Sequence, residues 1–351
     1  MALPLPPVLA PQEAAEFGRT LAPYVLSSQL LELPTRIVEA GSDVQTLLGL
    51  YLATNPMLTA LTIALAISPL FVLAAELRGN FSQVDCWWSI LPTIYNVHFY
   101  AWAHLNGLPL DRLRAVALFS VVWSIRLTFN YWRKGGYKWG AEDYRWPILR
   151  ERINNRLVFF IFDVVFIAFI QSLLLCAITA PTYIFTILAQ LPKGVAAYGI
   201  PDLVFSRLLV FYILIETIAD EQQWRYQQAK YKFKDTGVVS EGYDKEDLER
   251  GFVVSGLWSF SRHPNFVAEQ AIWFTLYAWS AYLTETYFNW AGIGALGYLS
   301  IFQGSTWLTE KLSAAKYPEY RDYQARVGRF IPRWSTKARG AGSRAEKKKN
   351  D

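Results

Sequence analysis

The sequence predicts an all-α, polytopic integral membrane protein with about seven transmembrane helices around a cavity that faces the cytosol. Three observations predict it. Of 351 residues, 53% are hydrophobic and 18% charged, against about 25% charged in an ordinary soluble domain. Apolar runs long enough to cross about 30 Å of hydrocarbon occur near 57–77, 84–104, 112–132, 157–178, 203–220, 265–283 and 288–309. Four of these runs carry polar residues at helical spacing, all near one membrane surface.

Taken in order, residues 1–55 read as a polar, non-cytosolic arm with short amphipathic pieces such as "DVQTLLGLYL". The start, "MALPLPPVLAPQ", has no basic region and too many prolines for a cleavable signal peptide. Residues 56–335 form the transmembrane domain, in which the second span is interrupted by Pro92 and Asn96. Residues 336–351 form a basic cytosolic tail. The two cysteines, Cys86 and Cys176, lie in or beside apolar helices and read as small buried hydrophobes rather than a disulfide or metal site.

The charge pattern sets the orientation. The loop after helix three holds Arg133, Lys134, Lys138, Arg145, Arg150, Arg152 and Arg156, and the loop after helix five is equally basic. The opposite segments hold little besides Lys193. The positive-inside rule places the basic loops and the C-terminus in the cytosol, and an odd number of spans places the N-terminus across the membrane. The clusters read as topology signal and cofactor-phosphate attraction rather than as a surface for nucleic acid or anionic lipid. The chain ends "KKND", with lysines at the third and fourth positions from the end. Lys348 and Lys349 match a dilysine address read by retrieval coats, which implies the endoplasmic reticulum with a lumenal N-terminus.

Charged groups inside membrane helices are costly and so mark function. Arg126, Asn130 and Arg133 lie at i, i+4, i+7 on helix three. Glu216, Asp220 and Gln223 repeat that spacing at the end of helix five. Helix six opens with Arg262, His263, Pro264 and Asn265, and Glu269 follows one turn later; Glu310 and Lys311 end helix seven. One or two such residues are explained by interhelical hydrogen bonds. Four stripes at one depth point to a polar cavity that takes a charged soluble cofactor from the cytosol and an apolar substrate from the bilayer. Asp163 and Gln171 sit deeper, on a lone face of helix four, and read as structural pairing.

Several chemistries are excluded. Three histidines, His98, His104 and His263, are too few for a di-iron centre, and no metal site is expected. No GxGxxG, P-loop or GxSxG motif is present.

The stretch "GLWSFSRHPNFVAEQ", preceded by "ETIADEQQWRYQ" and followed by "TEKLSAAKYPEYRDYQARVGRFIPRW", resembles the C-terminal half of the steroid 5-alpha-reductase-like membrane family, in its uncharacterised bacterial and fungal branch. "DCWWS" and "GAEDYRW" extend the likeness over about 60–335. Isoprenylcysteine and phospholipid methyltransferases resemble this family and share RHP and the Tyr-rich ending before "IP".

The resemblance implies NADPH in a cytosol-facing cavity. It assigns cofactor contacts to Arg126, Asp220, Asn265, Glu269 and Arg326, with Tyr317, Tyr320 and Tyr323 in the matching tail and Tyr323 taken as the contact; the helix-three stripe adds Asn130, and side-chain chemistry adds Arg262 and His263, the latter for phosphate or as a helix cap. Arginines such as Arg262 and Arg326 suit phosphate. Asn265 and Glu269 suit a carboxamide or ribose. Where the family has a Glu before helix two and a Tyr on helix three, this chain has Asp85 and Trp123. Trp donates a hydrogen bond but relays no proton. The catalytic acid is therefore expected at Asp85, with water or Tyr95. The implied activity is NADPH-dependent reduction of a double bond in a membrane lipid of steroid, polyprenoid or enoyl type. Two alternatives stay open: a methyltransferase for lipid or prenyl-cysteine using S-adenosylmethionine, and a non-enzymatic membrane protein that keeps the fold.

The tail reading is testable by microscopy. Changing Lys348 and Lys349 to Ser is expected to release a tagged full-length chain towards the Golgi and cell surface; retention in the reticulum would leave the tail as a topology signal alone.

Overall fold

The structure, a computed structural model, describes residues 4–27, 29–192 and 197–333. Lys193, the tail from 336 and the Lys348–Lys349 pair lie outside the described residues. Among the described residues the architecture is helical, with one isolated bridge between Ser261 and Gly328. The long helices are numbered here α1 (Pro56–Arg78), α2 (Leu91–Leu105), α3 (Asp111–Arg133), α4 (Arg156–Leu188), α5 (Ile200–Thr236), α6 (Pro264–Leu283) and α7 (Gly292–Lys316).

Three of them, α1, α3 and α4, are long and apolar enough to cross a membrane, which fits an integral membrane protein. Their ends follow from local chemistry. Asn55 caps α1 by accepting from Met57 N and Leu58 N, Pro56 takes the first turn, and Gly79 stops the helix in the left-handed region at φ 62°. Helix α2 is shorter than the expected 84–104, because Pro92 suits a first turn and not a helix interior. The residues before it form a separate short helix, Gln83–Trp87. Helix α5 runs well past the expected 203–220. Its polar extension is rich in good helix formers and stops only at Gly237, φ 72°.

The chain divides into two compact units: residues to Phe211 with Ile272–Ser300, and Tyr212–Ala271 with residues from Ile301. In the first unit, α2 and α3 pair as a hairpin turned at Gly107, and α1 packs on the middle of α4. That middle, Asp163–Ile170, is a π-helix. Gly294 lies against the Ala177 carbonyl, which a Cβ would meet at 2.2 Å. Trp102, Trp123, Trp273, Trp279, Tyr95 and Tyr183 are among the largest fully buried side chains.

Residues 4–21, expected as part of a polar arm, are packed into this unit. Leu5, Val8, Ala14 and Leu21 are buried, and the carbonyls of Pro4, Pro6 and Thr20 accept from Asn55, Gln190 and Tyr183. The amphipathic pieces expected after them are helices Gln29–Ala40 and Val44–Ala53, the latter capped by Asp43.

The most constrained polar contact of the first unit is a buried ion pair. Arg112 Nε donates to Asp202 Oδ1 at 2.7 Å and its Nη2 to Oδ2 at 3.2 Å. Trp279 Nε1 and Gly199 N complete the carboxylate's partners at 2.8 and 2.7 Å. Asp202→Ala strands a buried guanidinium. It is expected to cost about 3–5 kcal/mol, read as a lowered unfolding midpoint of the detergent-solubilised protein, and Asp202→Asn should cost less.

Candidate functional site

In the second unit, the α5 and α6 stripes are buried or half-buried. Glu216, Asp220 and Gln223 line α5, and Asn265 and Glu269 lie one turn apart on α6. Glu216, Asp220 and Glu269 are each almost fully buried. Asn265 Nδ2 donates to Asp220 Oδ1 at 3.1 Å. Two amide oxygens, Asn265 Oδ1 and Gln223 Oε1, are buried with no hydrogen-bond partner among the described residues. An unmet buried acceptor costs about 1–3 kcal/mol, so Asn265 Oδ1, and Gln223 Oε1 three residues after Asp220 on the same face of α5, are candidates to receive donors.

A second cluster holds this region to the C-terminal segment. Arg262 is paired bidentately with Glu310, Nε to Oε1 at 2.7 Å and Nη2 to Oε2 at 3.0 Å. Its Nη1 donates to the carbonyls of Gln324 and Val327, and its main-chain N to Gly328 O. His263 Nε2 meets Glu310 Oε1 at 3.0 Å while its ring stacks on Phe266. Gln324 Nε2 donates to Glu310 Oε2 at 3.1 Å. One carboxylate on α7 thus gathers the RHPN segment and the short helix Tyr320–Arg326. Gly328 is required there, since a Cβ would collide with the Ile331 carbonyl.

The loop before α6 is also fixed to α5. Trp258 Nε1 donates to Ala219 O, and Leu257 N to Gln222 Oε1. Gly256, at φ 64°, leaves no room for a Cβ against the Gln222 side chain. Tyr323 is buried and donates to the Trp258 carbonyl. Arg326 is exposed, with Nε towards Asp322 O at 3.4 Å. Lys230 is buried on α5, donates to Gly251 O at 3.1 Å, and is pulled down to about 8 by burial, with Lys234 and Lys316 adding repulsion.

In the first unit, Asp85 precedes α2. Its Oδ2 accepts from Trp146 Nε1 at 2.7 Å, and Arg145 stands 3.7 Å from Oδ1. Tyr95 is fully buried on α2, and its hydroxyl has no hydrogen-bond partner among the described residues. On α3, Asn130 is buried and accepts from Arg133 Nε at 2.9 Å, while Arg126 is half-buried one turn earlier. Trp123 is fully buried and packs edge-on against Trp273 at 5.0 Å. Asp163 is buried at the start of the π-helix, and its Oδ2 finds no partner among the described residues, so the structural pairing expected for it is absent at that atom.

The structure therefore joins Asp220 to Asn265, and Arg262 and His263 to Glu310. Sequence reasoning placed Glu310 on a polar stripe but missed it as the carboxylate that binds RHPN. The signal was available: an Arg-His pair at a helix mouth needs a counter-charge, and Glu310 ends an inward stripe. Among the described residues no group of three or more His, Cys, Asp or Glu side chains is arranged to hold a metal.

Burial pushes the Glu310 carboxyl up, but hydrogen bonds from His263 and Arg262, with the Arg262 charge, outweigh it and hold the group down to about 2. A folded-state value below the ordinary 4.5 gives stability that is present above pH 4.5 and lost as pH falls towards 2. At about 1.4 kcal/mol per pH unit the loss is roughly 3 kcal/mol. Unfolding midpoints are expected to drop across that window in the parent, and Glu310→Gln should be less stable at neutral pH with a flatter acid limb.

Comparison with known proteins gives a family. The profile of the family described as "Protein of unknown function (DUF1295)" matches residues 70–327. The chain is 37% identical over 335 residues to Uncharacterized protein C594.04c of Schizosaccharomyces pombe, covering 95% of this chain and 94% of that protein. No solved structure matches it significantly. The matched region spans α2, α3, both polar clusters and the Tyr320–Arg326 helix, and the chain belongs to the DUF1295 family.

Proposed function

We propose that this chain is a membrane-embedded, NADPH-dependent reductase of a double bond in a lipid, of the steroid 5-alpha-reductase-like kind. The observation that carries the reading is the acceptor set at the mouth of α6. Asn265 Oδ1 and Gln223 Oε1 are buried acceptors without donors among the described residues, beside the Asp220 carboxylate. A nicotinamide carboxamide N–H and the ribose hydroxyls are donors of the kind these acceptors need. NADPH, when bound, supplies the hydride. Asn265, Gln223 and Asp220 hold and orient the nicotinamide half through these acceptors. Arg262 and His263 act as positioning residues, since Glu310 engages both.

Of the two residues expected to supply the acid, Tyr95 is the one whose buried hydroxyl is uncommitted among the described residues, which suits it to donate a hydrogen bond. Asp85 acts on the 143–146 loop, through Trp146 and Arg145. In the same reading α5, α6 and α7 join α1–α4 as spans, the basic loops and C-terminus are cytosolic, the N-terminus is lumenal, and the protein resides in the endoplasmic reticulum. The lipid substrate enters from the bilayer.

A second reading has its own support. The buried carboxylates Glu216, Asp220 and Glu269 would suit the cationic sulfonium of S-adenosylmethionine in a lipid or prenyl-cysteine methyltransferase. Purified full-length protein in detergent separates the two by thermal shift. NADPH at a hundred times its Kd is expected to stabilise by about 2.7 kcal/mol, and the methyl donor to give no shift. Asn265→Ala is expected to weaken NADPH binding tenfold or more, about 1.4 kcal/mol, with the ligand-free transition little changed. A shift with S-adenosylmethionine alone would reverse the assignment, and a shift with neither would reject both enzyme readings.

A further inference from the structure

At the end of α1 the first unit carries a groove of about 490 Å³ that the reductase reading does not use. Leu77 and Arg78 form one wall, Cys86, Trp87 and Ile90 another, and the loop 136–141 closes it. No carboxylate lines it, while Arg78 and Lys138 both do. A neighbouring hollow of about 430 Å³ shares Tyr137 and Lys138 and adds Trp132 and Arg133. Among the described residues Arg78 and Lys138 form no ion pair; the Arg78 guanidinium lies over the Trp139 ring at 4.7 Å. Two cations without acids ask for an anion.

The position says which anion. The groove lies where α1 ends at Arg78, and where α3, another helix fit to cross a membrane, ends at Arg133. The loop 79–82 is tied to 141–150 there by Asn80 Nδ2 to Ala141 O, Phe81 N to Glu142 and Arg150 to Gly79 O. That is headgroup depth. Trp139 is 87% exposed and Trp132 62%, and exposed Trp beside Lys and Arg at the end of a span is the pattern of the membrane–water interface. From the groove an apolar strip runs back along α1: Leu77, Leu73 and Leu70, one or two turns apart on one face and all exposed. A free phosphate has no use for that strip, whereas an acyl chain does.

The loop is shaped for this. Gly136 sits where a Cβ would meet the Tyr131 ring at 2.4 Å, and Tyr137 Oη donates to the Cys86 carbonyl at 2.9 Å. These contacts hold Tyr137, Lys138 and Trp139 over the end of α1.

We infer that this groove binds an anionic phospholipid, its phosphate between Arg78 and Lys138, its glycerol against Trp139 and one acyl chain along Leu77, Leu73 and Leu70. The full-length protein in a neutral detergent is titrated with fluorescently labelled phosphatidylserine and, separately, phosphatidylcholine. Saturable binding of phosphatidylserine at least tenfold tighter than phosphatidylcholine is expected. Arg78→Gln with Lys138→Gln should remove that preference. Lys138→Glu, a change at an exposed loop position, should weaken phosphatidylserine tenfold or more by itself with an unchanged thermal transition. Equal binding of the two lipids, or parent-like binding by Lys138→Glu, overturns the proposal. So does displacement of phosphatidylserine by inorganic phosphate at equal concentration, which would make this a soluble-anion site. NADPH binding is measured on the same variants; its loss or persistence tests the reductase reading and not this one.

Discussion

The second unit depends on the Glu310 carboxylate. It satisfies two charged or ionisable donors from the RHPN segment and one amide from the C-terminal helix, at distances of 2.7 to 3.1 Å. A buried carboxylate is tolerable only when its lone pairs are met, and each partner here is also fixed elsewhere. Arg262 reaches the carbonyls of Gln324 and Val327, and His263 N bonds Ser261 Oγ. The first turn of α6 is therefore set in place by residues that do not face the acceptor cluster, and Asn265 inherits its position from them. An arrangement of this kind lets the residues near a ligand be chosen for the ligand, because others carry the fold.

Much of this was legible in the chain. Asn130 on α3, Glu216 and Asp220 on α5 and Glu269 on α6 are buried, and Asp220 meets Asn265. The start of α6 at Pro264 and the stop of α1 at Gly79 follow from single residues. Illegible parts have physical reasons. Hydropathy cannot see where α5 ends, because the polar half of that helix is held by Tyr226 and Ala229 packing with Leu248, Val253 and Trp258 rather than by an apolar run. It also missed the docking of residues 4–21, whose anchors are main-chain carbonyls that leave no side-chain signature. Arg262 read as a phosphate ligand because RHP looks alike whether its partner is a ligand or a carboxylate 48 residues on.

The two polar regions differ in kind. Around Glu310 donors and acceptors balance within the chain. Asn265 Oδ1 and Gln223 Oε1 are acceptors left unmet among the described residues. The groove at Arg78 has the opposite imbalance, cations without acids. Surplus of one sign, rather than the mere presence of polar groups, separates places that hold the fold from places that wait for something else.

The π-helical stretch Asp163–Ile170 bears on how the span tolerates a change of length. A π turn holds one more residue than an α turn at nearly the same length. Such a stretch absorbs an insertion locally and leaves the flanking turns in register with their neighbours, here α1, whose Ser68 Oγ lies 3.4 Å from the Ala168 carbonyl. The same insertion in a regular stretch of the span would rotate every later side chain by about 100° and carry the fully buried Tyr183 out of the core. An added residue therefore has a place in this span where it costs little.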